Sequence, residues 1–391
     1  MSELTNDDWR AAGEARLREL WGVGVGCEIV DTLRERGRNR VFRLAVTGGP
    51  VGSVILKAAV GGEEDAGGGL GGTTERFVSE WAGCEMLAPL GLGPRAYGGD
   101  VAGRFCLTED LGAGETLARR LLGRDAAAAE AALMAYARSL GDLHAGTLGQ
   151  GARWDGLRRE RGAPEGPADP TPAIWKREAE AFVGECARLG CEPAGGSEGL
   201  AGDLAAIGAA LADPDYNAFT PADCCPDNHF LRGERVVFFD CEGGRMRHAL
   251  IDAAYLLAPF PTCWCCARLP EGLPERLLAA YRERFPGGAD FEDQLTLMLA
   301  AWVPGPFVRC AEMDWETKDT PWGLSTIRQR GLALTQHLLA RPNLRALLPS
   351  FADALAALGA RFAAQWPDLA PMPIYPAFGG PAWTPPAATD A

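Results

Sequence analysis

An aspartate, an asparagine five residues on and a second aspartate twelve residues beyond that stand at Asp223, Asn228 and Asp240. The first two lie in Ala222-Asp223-Cys224-Cys225-Pro226-Asp227-Asn228-His229-Phe230, and the third ends the apolar run Val236-Val237-Phe238-Phe239. This order, with a short hairpin before the last member, is the one phosphoryl-transfer sites use. One carboxylate accepts or orients the proton of an attacking hydroxyl. An amide oxygen and a second carboxylate hold Mg²⁺ against nucleotide phosphates. The competing reading is that these aspartates cap turns, as Asp commonly does.

The first part of the chain supplies groups that such a site also needs. Lys57 ends the apolar strand Ser53-Val54-Ile55-Leu56-Lys57 and can point into a cleft to meet phosphates; a solvated strand-end lysine is the plainer alternative. Glu80 follows 23 residues later on a helical stretch, where it can hold Lys57 in place, with Glu85 as its rival. Gly37-Arg38-Asn39-Arg40-Val41-Phe42-Arg43 reads as a turn between strands whose backbone amides can lie over phosphates.

These groups must be carried by ordered elements. The pattern predicts an amphipathic helix over 7–21 and three antiparallel strands over 27–33, 40–46 and 52–58. Seven glycines within 61–72 read as a flexible loop, after which Thr73 or Thr74 caps a helix running to Leu87. Short strands near 95–97 and 104–108 complete a small sheet. Beyond about residue 111 the periodicity turns helical, at 125–147, 173–189, 197–212, 273–285, 289–301, 322–341 and 348–366. The strands 230–232 and 235–239 interrupt this half, and 148–171 reads as loop. Residues 367–391 carry seven prolines and no periodicity, which reads as an extended tail.

The chain resembles the aminoglycoside phosphotransferase and choline kinase superfamily, a branch of the protein-kinase-like fold. Glu80 to Tyr97 is similar to that family's helix C and fourth strand, and Phe105-Cys-Leu-Thr-Glu109-Asp110-Leu111-Gly112 to its hinge. Ala137 to Ala145 resembles its Leu-His-Ala helix end, Asp240-Cys241-Glu242-Gly243 its metal-binding segment, and His248 to Tyr255 the helix that follows. The resemblance implies a bilobal α+β fold. It has an N-lobe over 1–110 with a small antiparallel sheet, a mainly helical C-lobe over 111–366 and the tail 367–391. It implies Asp223 as catalytic base, Asn228 and Asp240 as Mg²⁺ ligands, Lys57 on ATP phosphates and Glu80 positioning Lys57. Asn39 covers the nucleotide, Val41 and Ile55 form apolar lids, and Glu109–Leu111 hold adenine through backbone groups. The implied activity is transfer of the γ-phosphoryl group of ATP to a hydroxyl of an aminoglycoside-, amino-alcohol- or sugar-like small molecule. The family has His-Gly before the catalytic Asp, whereas Pro221-Ala222 stand here. That departure motivates the alternative of a nucleotide-binding pseudokinase with a regulatory or binding role.

Composition narrows the partners. Acidic residues outnumber basic ones 52 to 38, for a net charge of -14, which disfavours nucleic acid and anionic membranes. No apolar run reaches the roughly 18 residues of a membrane span. The acidic polar start lacks signal-peptide character, so a cytoplasmic setting with reduced thiols is expected for the twelve cysteines. Cys224, Cys225 and Cys263-Trp264-Cys265-Cys266 suggest a thiolate zinc site, but no Cys-x-x-Cys pair recurs, and buried small apolar thiols are the favoured reading. Glu312 to Asp319 gathers acids around Trp315, either a site for a cationic substrate or, as favoured, an exposed polar loop.

Overall fold

The computed structural model describes residues 4–61, 72–164, 169–258 and 260–383. The glycine-rich stretch read as a loop therefore lies, over 62–71, outside the described residues, and so does the last part of the tail, 384–391. Five strands, β1 (Gly26–Arg34), β2 (Asn39–Thr47), β3 (Ser53–Ala59), β4 (Ala96–Asp100) and β5 (Phe105–Glu109), form one antiparallel sheet in the order β1-β2-β3-β5-β4.

Strand periodicity explains both faces of this sheet. Phe42, Leu44, Val54, Leu56 and Leu107 alternate onto one face, where helix α1 (Asn6–Trp21) covers them with Trp9 and Leu17. The opposite face carries Val41, Lys57 and Cys106 in one cross-strand row and Arg43, Ile55 and Thr108 in the next. Helix α2 (Thr73–Leu87) covers the Ala59 and Cys106 end of that face with Phe77, Val78 and Trp81. The Val41 and Ile55 end is left facing a cleft. Helix α2 begins at Thr73 itself, with Gly72 rather than a threonine in the cap position.

The second lobe is helical. Helices α3 (Leu117–Leu122), α4 (Ala126–Thr147), α5 (Gly151–Glu160), α6 (Thr171–Arg188) and α7 (Gly196–Leu211) lead into β6 (Asn217–Thr220). The hairpin β7 (His229–Arg232) and β8 (Arg235–Phe238) follows, and β9 (Arg245–His248) then pairs with β6. Longer helices span Leu273–Arg282, Phe291–Ala301, Pro304–Glu312, Ile327–Leu339 and Pro349–Gln365. With its sheet lobe, helical lobe and intervening cleft, the chain has the α+β, bilobal, protein-kinase-like fold. Among the described residues no helix is long and apolar enough to cross a membrane.

Three segments depart from the reading of the sequence. The stretch 148–171 holds α5, whose poor amphipathicity is offset by tertiary anchors: Trp154 packs on Phe219 and Arg158 forms an ion pair with Glu75. Pro304–Glu312 is a helix because its prolines sit in the first turn, where no N–H is missed. The helix predicted from 322 begins only at Ile327, after a two-residue hairpin. The tail is not wholly extended, since Pro376–Phe378 form a short 3-10 turn, and it packs: Tyr375 is fully buried, and Trp383 stacks on Trp264 with ring centroids 4.9 Å apart.

Candidate active site

The floor of the cleft is built by the β7–β8 hairpin. Its register pairs His229 with Phe238, and the Phe239 amide donates to the Asn228 carbonyl at 3.2 Å. Closing the hairpin therefore sets Asn228 and Asp240 side by side. Asp240 has φ of 66°, a left-handed conformation that Asp tolerates better than most residues. The chain turns there, and Cys241 passes beneath α2. A Cβ on Gly83 would lie 2.5 Å from the Cys241 Cβ, so only glycine permits this approach. It brings Glu80, one turn earlier on α2, to Asp240.

Lys57 links the two lobes. Its Nζ lies 2.9 Å from the Glu80 carboxylate and also contacts Asp240 Oδ1. Glu85 points elsewhere, to Arg161 and to the Trp81 indole. Burial opposes the Lys57 charge, but Asp240, then Glu80 and Glu242, outweigh it and hold the ammonium well above its ordinary value. For Glu80 burial prevails over Lys57, and its pKa rises. For Asp240 burial is overcome by contact with Lys57, and its pKa falls.

Asp223 lies on the loop between β6 and β7 and opens to solvent at the cleft mouth, although protein crowds most of its surroundings. That crowding, followed by the charge of Asp240, pushes its carboxyl up to about 6. Its Oδ1 accepts from the Cys225 amide at 3.2 Å, and its backbone carbonyl accepts from the Asn228 side chain at 3.4 Å. The residue before it, Ala222, has φ of 65°. The loop thus keeps the backbone form that glycine would adopt freely, at a cost of about 1 kcal/mol for an L-residue. Ala222→Gly is expected to leave the melting temperature unchanged or raise it, and the β-branched Ala222→Val to lower stability by at least ~1 kcal/mol. Thermal melts of the two variants check this, and a midpoint lowered by glycine would count against the strain.

In place of a histidine, the loop is held from beneath by arginine. Arg247 Nε donates to Thr220 Oγ1 at 2.7 Å, and its Nη2 donates to Asp252 Oδ1 at 2.7 Å. Asp252 is buried, hydrogen-bonds the Cys224 thiol and lies against His144, which bonds Tyr281. Arg247 was not singled out by sequence reasoning, because its role depends on β9 pairing with β6 across 24 residues of intervening chain.

Among the residues expected to line a nucleotide, one is engaged elsewhere. Asn39 is buried, and its amide donates to Glu242 Oε2 at 2.7 Å, while Arg38 pairs with Glu242 Oε1 at 2.6 Å. Asn39 therefore fastens the β1–β2 turn to the segment after Asp240 and does not cover the cleft. Val41 and Ile55 are half-buried on the Lys57 face. Glu109 ends β5 opposite Val54, its carboxylate accepting from the Arg95 amide and from Arg232 at 3.0 Å. Leu111 follows, half-buried, past the last register pair. Asp110 braces this connection by accepting from Arg43, Ser53 and the Gly112 amide.

The acidic stretch 312–319 does not present Trp315 to a cation. Trp315 is fully buried among Phe307, Phe362 and Trp366, and Glu316 is paired with Arg188 and Arg361. The Arg328 and Arg330 guanidinium groups donate to backbone carbonyls, and of those acids Asp319 accepts from the Arg328 amide at 3.3 Å.

No protein-family model matches the chain, and no curated protein matches it. Solved structures do. One is a choline/ethanolamine kinase family protein from Mesorhizobium loti, 17% identical with a TM-score of 0.46, covering 90% of this chain and 99% of that one. Another is an aminoglycoside phosphotransferase from Alicyclobacillus acidocaldarius, 12% identical with a TM-score of 0.46, covering 93% and 98%. A third is the choline kinase LicA from Streptococcus pneumoniae, 13% identical with a TM-score of 0.42, covering 83% and 96%. Likeness this distant is silent on chemistry, which has to be read from the side chains.

Proposed function

We propose that this chain is an ATP- and Mg²⁺-dependent phosphotransferase that moves the γ-phosphoryl group to a hydroxyl of a small molecule. The observation that carries the reading is Lys57, held by Glu80 on α2 and touching Asp240, with Asn228 beside Asp240 across the hairpin and Asp223 near enough to feel its charge. A strand lysine paired with a helix glutamate is the phosphate-gripping device of kinase sites.

The donor set suits the metal. An amide oxygen from Asn228 and a carboxylate from Asp240 are hard oxygen ligands, which Mg²⁺ prefers, alongside phosphate oxygens and water. Bound there, the ion would offset charge on the phosphates. Lys57 would turn from Asp240 toward the phosphates while Glu80 keeps it aimed. Asp223 would accept the hydroxyl proton as the acceptor oxygen bonds to the γ-phosphorus and the bond to the ADP oxygen breaks. With its carboxyl near 6, Asp223 is ionised at neutral pH and retains useful basicity. Val41, Ile55 and Leu111 would flank the adenine.

The acceptor side favours an amine-bearing alcohol. Asp227 adds negative charge near Asp223 and accepts from the Trp264 indole at 3.1 Å. Two neighbouring carboxylates suit a cation. Aminoglycoside-like and amino-alcohol-like acceptors fit this better than neutral sugars.

A nucleotide-binding role without transfer is the second reading, favoured by the contact that commits Asp240 to Lys57. Transfer of label from γ-labelled ATP to a panel of amine-bearing and neutral hydroxyl compounds separates the two. Labelled product that depends on Mg²⁺ is expected. A Mg-ATP thermal shift with no labelled product across the panel would favour the second reading.

A further inference from the structure

Directly beside Asp223 lies a group of thiols that phosphoryl transfer does not use. A carboxylate oxygen of Asp223 and the sulfurs of Cys225 and Cys263 all lie within 4.8 Å of one another. Cys265 lies next to this group and interacts with Cys225 and Cys263, outside the 4.8 Å set but within reach of it by a side-chain movement. All three cysteines are buried, and Asp223 is the side that solvent reaches. Two segments remote in sequence, the 222–230 loop and the 263–265 stretch, are thus folded so that two soft donors and one hard donor converge, with a third soft donor adjacent.

Hydrogen-bond donors surround the cluster. Arg330, buried, donates to the carbonyls of Pro261, Cys263 and Trp264, which fixes the course of the cysteine-bearing segment. Its Nε–H has no acceptor among the described residues, and Arg330 interacts electrostatically with Cys265. From the tail, Tyr375 is fully buried and interacts with Cys225, Cys263, Cys265 and Cys266, and its hydroxyl is likewise without a partner among the described residues. Buried donors without acceptors are costly. Thiolate sulfurs carrying a metal would supply acceptors, as partners of metal ligands generally do.

We infer that Asp223, Cys225 and Cys263, joined by Cys265 as its side chain moves in, form a four-ligand site for a thiophilic divalent cation, Zn²⁺ foremost, steadied by Arg330 and Tyr375. Three thiolates and one carboxylate meet the tetrahedral preference and ligand count of Zn²⁺. Binding forms three metal–sulfur bonds and one metal–oxygen bond, and the thiol protons leave to solvent. No oxidant or reductant takes part. The consequence, which rests on the proposed phosphotransferase role, is that an occupied site withdraws the Asp223 carboxylate from the acceptor hydroxyl and switches transfer off. Mg²⁺ would not compete well for sulfur ligands, so the two ions would sort by ligand softness onto opposite sides of Asp223.

The test uses the full chain, reduced and stripped of metal. Titration with Co²⁺ is expected to give one equivalent bound, with tetrahedral visible bands and thiolate-to-metal charge transfer, and Zn²⁺ is expected to displace it. Cys263→Ala and Cys265→Ala, each checked for folding by its Mg-ATP thermal shift, should weaken Zn²⁺ binding by at least ~10²-fold, because losing a ligand costs more than losing a ligand's partner. Tyr375→Phe, a gentler change, should weaken it about 10-fold. Absence of the charge-transfer band, or affinity unchanged in the cysteine variants, overturns the site. So does conversion of the cluster to a disulfide with no metal uptake. Stoichiometric Zn²⁺ should abolish transfer reversibly in the native chain and not in Cys265→Ala. Metal uptake with thiolate bands but no transfer under any condition leaves the site standing and removes the phosphotransferase reading instead.

Discussion

Asp223→Asn is expected to lose turnover by at least ~10²-fold while binding Mg-ATP as the native chain does, and to melt at a higher temperature. The first half follows from position. Asp223 projects from the loop between β6 and β7 to solvent, whereas the proposed nucleotide contacts fall to Lys57, Asn228 and Asp240. An amide in its place can hydrogen-bond a hydroxyl but cannot take its proton. The second half follows from electrostatics. Crowding by protein, and then Asp240, raise the Asp223 carboxyl to about 6, so the folded state disfavours its ionised form. An acid whose pKa is higher folded than unfolded costs stability. The cost begins as pH rises through the unfolded value, near 3.9, and is complete above about 6. Because solvent reaches the group, screening reduces the cost to about 1 kcal/mol. The variant should therefore melt higher at pH 7.5 and match the native chain near pH 4. In the native chain kcat/KM should fall below about pH 6 as the base protonates. Equal turnover would remove Asp223 from proton transfer, and equal melting at both pH values would remove the strain on its charge.

The parts of this site that sequence makes legible are those set by local pattern. Alternation along Ser53–Lys57 puts Lys57 on a strand face, and the short span from Asn228 to Asp240 is a hairpin whose closure is almost obligatory. Legibility ends where distant segments decide the outcome. Asn39 looks like a turn residue free to face phosphate, but Glu242, 203 residues away, takes its amide. Arg247 looks like one arginine among many until β6 and β9 pair. Helix α5 carries too few apolar residues for a periodicity signal and depends on Trp154 and Arg158 finding partners in other elements. The cysteines read correctly as buried, while their convergence on Asp223 depends on how the 261–266 segment is tied down by Arg330. In each case the deciding contact is tertiary, and no window of neighbouring residues contains it.

Lys57→Met should be more damaging than Asp223→Asn, because it fails in both binding and folding. Without the ammonium the nucleotide loses a direct phosphate partner, and kcat/KM for ATP should fall by at least ~10². Glu80 and Asp240 are left facing each other with no cation between them. Removing one partner of a buried ion pair costs up to about 3–5 kcal/mol. The cost here should be smaller, since Asp240 is partly exposed and Glu80, already raised by burial, can take up a proton. That escape gives the prediction its sign. In the variant both carboxyls titrate higher in the folded state than in the unfolded one, so the loss grows as pH rises above the ordinary carboxylate range and shrinks on acidification. Melting curves of the native chain and the variant should converge near pH 4.5 and separate at pH 8. Lys57→Met/Glu80→Gln tests the cause, because neutralising Glu80 should recover much of the melting temperature and none of the activity. A double variant that melts like Lys57→Met would mean that the lost packing of the lysine stem matters and the paired charges do not. Recovery of stability without activity would separate the two duties of Lys57, which joins the lobes through Asp240 in the free chain and, on the proposed reading, meets phosphate in the loaded one.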